Sequence, residues 1–108
     1  MGLDWIATDN YDNMGENEMF RGKTIANDPN LQECEYECYG EFVEGGGNDG
    51  PMMSASQRLT IMKAIKKVYK LPKEEIKLGG WSDYAEWRGY MKEAFHFLQD
   101  NKKIVCWY

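Results

Sequence analysis

Leu3, Trp5 and Ala7 alternate with Asp4, Ile6 and Thr8, and this period of two predicts a strand over residues 2 to 8, closed by a turn at Asp9-Asn10. Tyr11 to Glu18 is polar and reads as a loop. In the short stretch from Phe20 to Ala26, Thr24-Ile25-Ala26 fits a second strand. Asn27-Asp28-Pro29 carries the chemistry of a helix start, with Asp28 as N-cap and Pro29 in the first helical position, where its missing N–H costs nothing. Leu31, Cys34, Cys38 and Phe42 would then line one face, with Gly40 as the stop. The run Glu33-Cys34-Glu35-Tyr36-Glu37-Cys38 also alternates as a strand does. Acids near the positive end of a helix favour helix for residues 29 to 39, and the strand reading stays open beside it. Glu44 to Pro51, rich in glycine, is an irregular connection.

The second half is more regular. Ser54 and Gln57 form a capping-box pair, Ile61, Met62, Ile65, Val68 and Tyr69 recur at helical spacing, and Lys66, Lys67 and Lys70 gather before Pro72, so residues 54 to 70 are predicted as an amphipathic helix. Lys73 to Leu78 adds a short turn, which Gly79-Gly80 breaks. Ser82 or Asp83 caps a second helix reaching about Asn101, with Tyr84, Trp87, Met91, Phe95 and Leu98 as its stripe and Tyr90 and Phe97 widening it. Ile104 to Tyr108 reads as a buried strand. The fold class that follows is α+β: a small sheet in which the N- and C-terminal strands pair, covered by two or three helices.

With 108 residues, 43% of them hydrophobic, the chain suits a single domain, residues 1 to 108, with one core. Its first residues lack the basic and apolar regions of a secretory signal, and no run approaches the roughly 20 apolar residues of a membrane span. The expectation is a cytoplasmic protein. Gly2 does not make a myristoylation signal, because Ile6 stands where Ser or Thr is needed. Cys34, Cys38 and Cys106 are an odd count and read as reduced, buried thiols. Together with His96 they supply the donor types of a four-ligand zinc site. On the second long helix, however, His96 falls beside Gly89 and Lys92, away from the apolar stripe, so no metal is expected.

Charge divides the chain. Residues 1 to 53 hold twelve acids against Arg21 and Lys23, a net of −10, and residues 54 to 108 hold six acids against eleven bases, a net of +5. Either the halves pack together with their charges solvated around the seam, or the acidic half is offered to a basic partner. In the second case Glu33, Glu35 and Glu37 are the candidate contact residues, with Trp81, the tryptophan expected to be exposed, beside them. Trp5, Trp87 and Trp107 are assigned to the core. The lysines are interleaved along a helix of an acidic protein, which disfavours nucleic-acid binding.

Motifs for chemistry are incomplete, and no cofactor is expected. Arg21-Gly22-Lys23-Thr24 ends like a phosphate-binding loop, but Asn17 stands where the earlier glycine is required. Arg21, Gly22 and Lys23 remain as an alternative ligand-binding turn. A calcium loop starting at Asn10 and Asp12 would put Met14 fifth and Arg21 twelfth, where a bidentate Glu is needed. No base is placed to activate a cysteine.

Met1-Gly2-Leu3-Asp4-Trp5, Phe20-Arg21-Gly22-Lys23, Cys38-Tyr39, the Ser54 to Gln57 helix start and the closing Trp107-Tyr108 resemble small bacteriophage and viral proteins with no assigned activity. The resemblance implies a viral source, residence in the host cytoplasm and work done by binding a host or viral protein. The expected function is therefore that of a non-enzymatic accessory protein, its partner and oligomeric state unspecified. A small-molecule or metal-binding domain and a virion structural component are the alternatives.

Overall fold

The computed structural model describes residues 2–8, 18–42 and 51–108. In chain order it forms β1 (Asp4–Ala7), β2 (Met19–Phe20), a one-turn helix α1 (Lys23–Ala26), and a 3-10 turn (Gln32–Cys34) that runs into a second one-turn helix α2 (Glu35–Cys38). There follow β3 (Met52–Met53), α3 (Ala55–Tyr69), a 3-10 turn (Lys73–Glu75), α4 (Tyr84–Asp100) and β4 (Ile104–Trp107). The strands make one antiparallel sheet in the order β2-β1-β4-β3, so the first and last strands pair at its centre and the α+β expectation holds.

Strand register decides which side chains go inside. Phe20, Trp5 and Cys106 are cross-strand partners, as are Ala7, Ile104 and Met53, and both rows face the helices. The intervening row of Met19, Ile6, Val105 and Met52 lies on the opposite face, and so does Trp107, the partner of Asp4. Trp5 stacks on Phe20 at 5.5 Å and on Phe97 of α4 at 6.4 Å, which ties the sheet to that helix. Ile61, Ile65, Trp87, Met91 and Leu98 complete the buried cluster from the helical side.

The two long helices begin as their caps dictate. The Ser54 hydroxyl accepts from the Gln57 N–H while the Gln57 side chain accepts from the Ser54 N–H, and Asp83 accepts from the Glu86 N–H at 2.7 Å. Ile61, Ile65 and Val68 of α3, and Trp87, Met91, Phe97 and Leu98 of α4, are buried as their spacing predicts.

The first half departs from expectation. Thr24-Ile25-Ala26 is helical, and the second strand is Met19–Phe20. The single helix expected from Asp28 is broken into a turn, a 3-10 turn and α2, with Leu31, Cys34 and Cys38 buried as anticipated. It ends at Gly40, whose φ of +71° suits glycine and whose Cβ, if present, would lie 2.8 Å from the Met52 carbonyl oxygen. Glu41 then bridges to Met52, so Phe42 leaves the apolar stripe and is 79% exposed. The turn at Asp9-Asn10, the loop to Asn17, the calcium-loop trial and the glycine-rich connection 44 to 50 lie outside the described residues. No helix among the described residues is long and apolar enough to cross a membrane.

Candidate functional site

Asp28 is the organising polar group of the first half. Its carboxylate is almost fully buried, 2% exposed, and accepts four hydrogen bonds. Oδ1 takes the Asn30 backbone N–H and the Asn30 side-chain amide, both at 2.8 Å. Oδ2 takes the indole N–H of Trp87 at 2.9 Å and of Trp81 at 3.3 Å. Asp28 thus caps a local turn instead of a long helix, and its second oxygen ties the turn to α4. Asn30 adds a second stitch, donating to the Lys77 carbonyl at 2.8 Å and accepting from the Lys77 N–H at 2.9 Å.

These bonds correct the assignment of the tryptophans. Trp81 is half-buried, with its ring 4.4 Å from Tyr90, whereas Trp107 is 55% exposed. Beside Trp81 lies an open hollow of about 290 Å³, lined by Arg21, Lys23, Asn27, Asp28 and Gly80 among others. The fold therefore joins two sets of residues that the sequence suggested separately, the Arg21-Gly22-Lys23 turn and Trp81. Gly22 itself serves packing. A Cβ there would fall 2.4 Å from Trp5 Nε1, the indole nitrogen that donates to the Cys38 carbonyl at 2.9 Å. The N–H groups of residues 23 to 26 are spent on the carbonyls of Leu3, Arg21 and Gly22. They do not form a phosphate cradle.

The three glutamates do not share one environment. Glu33 lies 4.0 Å from Lys67 of α3, an exposed pair contributing about 0–1 kcal/mol. Glu35 faces solvent, while Glu37 is half-buried, with Oε2 out of water and without a hydrogen-bond partner. The sequence reading missed the aromatic residues among them. Tyr36 is 81% exposed, and the Tyr39 ring meets Tyr108 edge-on at 5.1 Å. Spacing does carry a signal for Tyr36: it lies two residues from both Cys34 and Cys38, so a helix that buries those thiols turns it outward.

All three thiols are free and buried. Cys34 Sγ–H donates to the Leu31 carbonyl and Cys38 Sγ–H to that of Cys34. The Cys34 hydrogen bond and burial push the Cys38 thiol far above its ordinary range, and burial pushes Cys106 up to about 12. Such groups are poor nucleophiles at neutral pH. His96 is exposed on α4, and no cluster of three or more metal-ligating side chains occurs among the described residues. Maleimide should therefore label the native thiols at least a hundredfold more slowly than the denatured ones, and elemental analysis should find no stoichiometric zinc. Rapid native labelling, or one zinc per chain, would overturn this assignment. The folded state holds the Cys38 and Cys106 thiol protons above the unfolded value of about 8.5, so the stability linked to these two groups should be full below that pH and fall as pH rises towards 12.

The chain matches no protein-family model, no curated protein and no solved structure.

Proposed function

We propose that this is a small non-enzymatic accessory protein, of viral origin and acting in the host cytoplasm, that works by binding another protein through the acidic and aromatic segment 33 to 42. The observation that carries this reading is the exposure of Tyr36 and Phe42 in a segment whose Glu33, Glu35 and Glu41 are exposed as well. Large aromatic side chains are enriched at protein interfaces, and surrounding carboxylates steer a basic partner towards them. Three unpaired thiols suit a reducing compartment. Nucleic acid and membrane are not the partners in this reading.

The structure changes which substitutions test it. Reversing Glu33 removes a neighbour of Lys67, and a lysine at Glu37 would have to enter a half-buried site, so both mix binding with stability. Glu35→Lys combined with Glu41→Lys and Tyr36→Ser changes exposed groups only. In capture from a host lysate with chemical cross-linking, the triple variant should lose the partner held by the wild type. With that partner purified, the association rate should fall at least tenfold at low salt and by less as salt rises, with the melting temperature unchanged. Equal capture by both proteins, or no partner at all, would remove the proposal.

One observation favours a second reading. Arg21 and Lys23 come from the first half and Trp81 from the second, yet all line one hollow, which suits a small anionic ligand with a flat ring. A thermal-shift screen of such compounds on wild type and Arg21→Ala tests this, and a shift that ignores the substitution excludes the hollow.

A further inference from the structure

α3 and α4 run antiparallel and are tied at both ends. Arg58 Nη1, near the start of α3, donates to the Leu98 carbonyl at 2.7 Å, and the Arg88 guanidinium lies 3.9 Å over the ring of Tyr69, the last residue of α3. Between these ties the helices leave an open groove of about 530 Å³. Its floor is apolar: Ile65 and Met91 are buried at the bottom, and Tyr69 and Phe95 are half-buried along it. Its rim carries Lys66 and Lys70 from α3 and Lys92 from α4, all exposed, and among the described residues no carboxylate lines it. In a chain of net charge −5, a lysine rim around an apolar floor is a local departure from the average surface.

We infer that this groove docks an acidic amphipathic helix of a partner protein. From Met91 to Gln99 it follows α4 for about 12 Å, the length of two helical turns. Residues of the incoming helix at i, i+3, i+4 and i+7 would cover Ile65, Tyr69, Met91 and Phe95, and carboxylates flanking that stripe would meet Lys66, Lys70 and Lys92. A polynucleotide asks for a longer basic track and leaves an apolar floor unused. The inference is independent of the acidic segment 33 to 42, which calls for a partner of the opposite sign.

The probe is a panel of fluorescein-labelled 16-residue helical peptides with leucine at i, i+3, i+4 and i+7 and glutamate on the flanks. Each is compared with its counterpart carrying lysine in place of glutamate, with phosphatidylserine vesicles and with a single-stranded oligonucleotide. Fluorescence anisotropy should show a glutamate peptide bound, with affinity falling at least tenfold between 50 and 300 mM salt. The variant Lys66→Glu, Lys92→Glu should lose at least tenfold in affinity while keeping the wild-type melting temperature, and amide shifts in the wild type should map to α3 and α4. Equal binding of the lysine peptides, binding that survives the double reversal, shifts elsewhere, no binding by any glutamate peptide, or binding of vesicles or oligonucleotide alone would each overturn the inference. A concentration-dependent dimer that the double reversal abolishes would make the occupant a second copy, and that also overturns it.

Discussion

Trp87→Ala is expected to destabilise the protein by about 3–5 kcal/mol, as truncation of a large core aromatic does. The indole is fully buried, stacks against Tyr84 at 5.7 Å and donates to Asp28 Oδ2 at 2.9 Å. Alanine at this position opens a cavity and also removes a donor from a buried carboxylate. Trp87→Phe separates the two effects, since it keeps most of the ring volume and loses the N–H. Hydrogen bonds to charged groups contribute about 1.5–3 kcal/mol, and the phenylalanine variant should lose an amount in that range. Asp28 keeps Asn30 and Trp81 in both variants, so the loss stops short of a bare buried charge. Denaturant titrations of the two variants measure both costs. A loss below about 1 kcal/mol for Trp87→Ala would mean that α4 presents a different face to the core.

This carboxylate also explains where local sequence reasoning stops. Asp28 before Pro29 has the signature of a helix N-cap, and local chemistry alone would extend a helix through Cys38. What ends that expectation is Trp87, 59 residues further along the chain, which takes one carboxylate oxygen and holds it in a turn. Pattern was sufficient where an element carries its own signals. The Ser54 capping box, the apolar spacing of α3 and α4 and the alternation of Leu3, Trp5 and Ala7 each mark their element within its own stretch of sequence, although β1 still takes its backbone partners from β2 and β4. The final strand was legible in position but not in facing. Ile104 to Tyr108 is apolar throughout, so it has no alternation from which to read a face, and the pairing of Trp5 with Cys106 is what turns Trp107 outward. Of the candidate site, Arg21, Lys23 and Trp81 were visible one by one, but their meeting in one hollow is a product of long-range contacts, among them the Trp81 bond to Asp28 and the Asn30–Lys77 pair, that no local pattern carries. The α3–α4 groove went unread for a different reason: periodicity counts Tyr69 and Phe95 as core residues and cannot show that they line an opening.

Removing residues 104 to 108 should abolish the cooperative fold. β4 is an inner strand, paired along its whole length with β1 and on its other side with β3, so its loss leaves two separated strands with unpaired N–H and carbonyl groups facing what was the sheet interior. Ile104 and Cys106 also leave the core, and the cross-strand cover of Trp5, Ala7 and Met53 goes with them. Domains of this size are stable by only about 5–15 kcal/mol, and two fully buried side chains together with a central ladder exceed the lower part of that range. A shorter truncation provides the control. Tyr108 lies past the strand and is half exposed, and its edge-on contact with Tyr39 is of a kind that contributes about 0.5–1.5 kcal/mol, so deleting it alone should leave a cooperative melt at a slightly lower temperature. Near-ultraviolet circular dichroism and amide spectra of the two truncations distinguish the cases. A five-residue deletion that retained dispersed amide resonances and a cooperative melt would show that the helices and β1 hold together without a central strand, contrary to the sheet order that places β4 between β1 and β3.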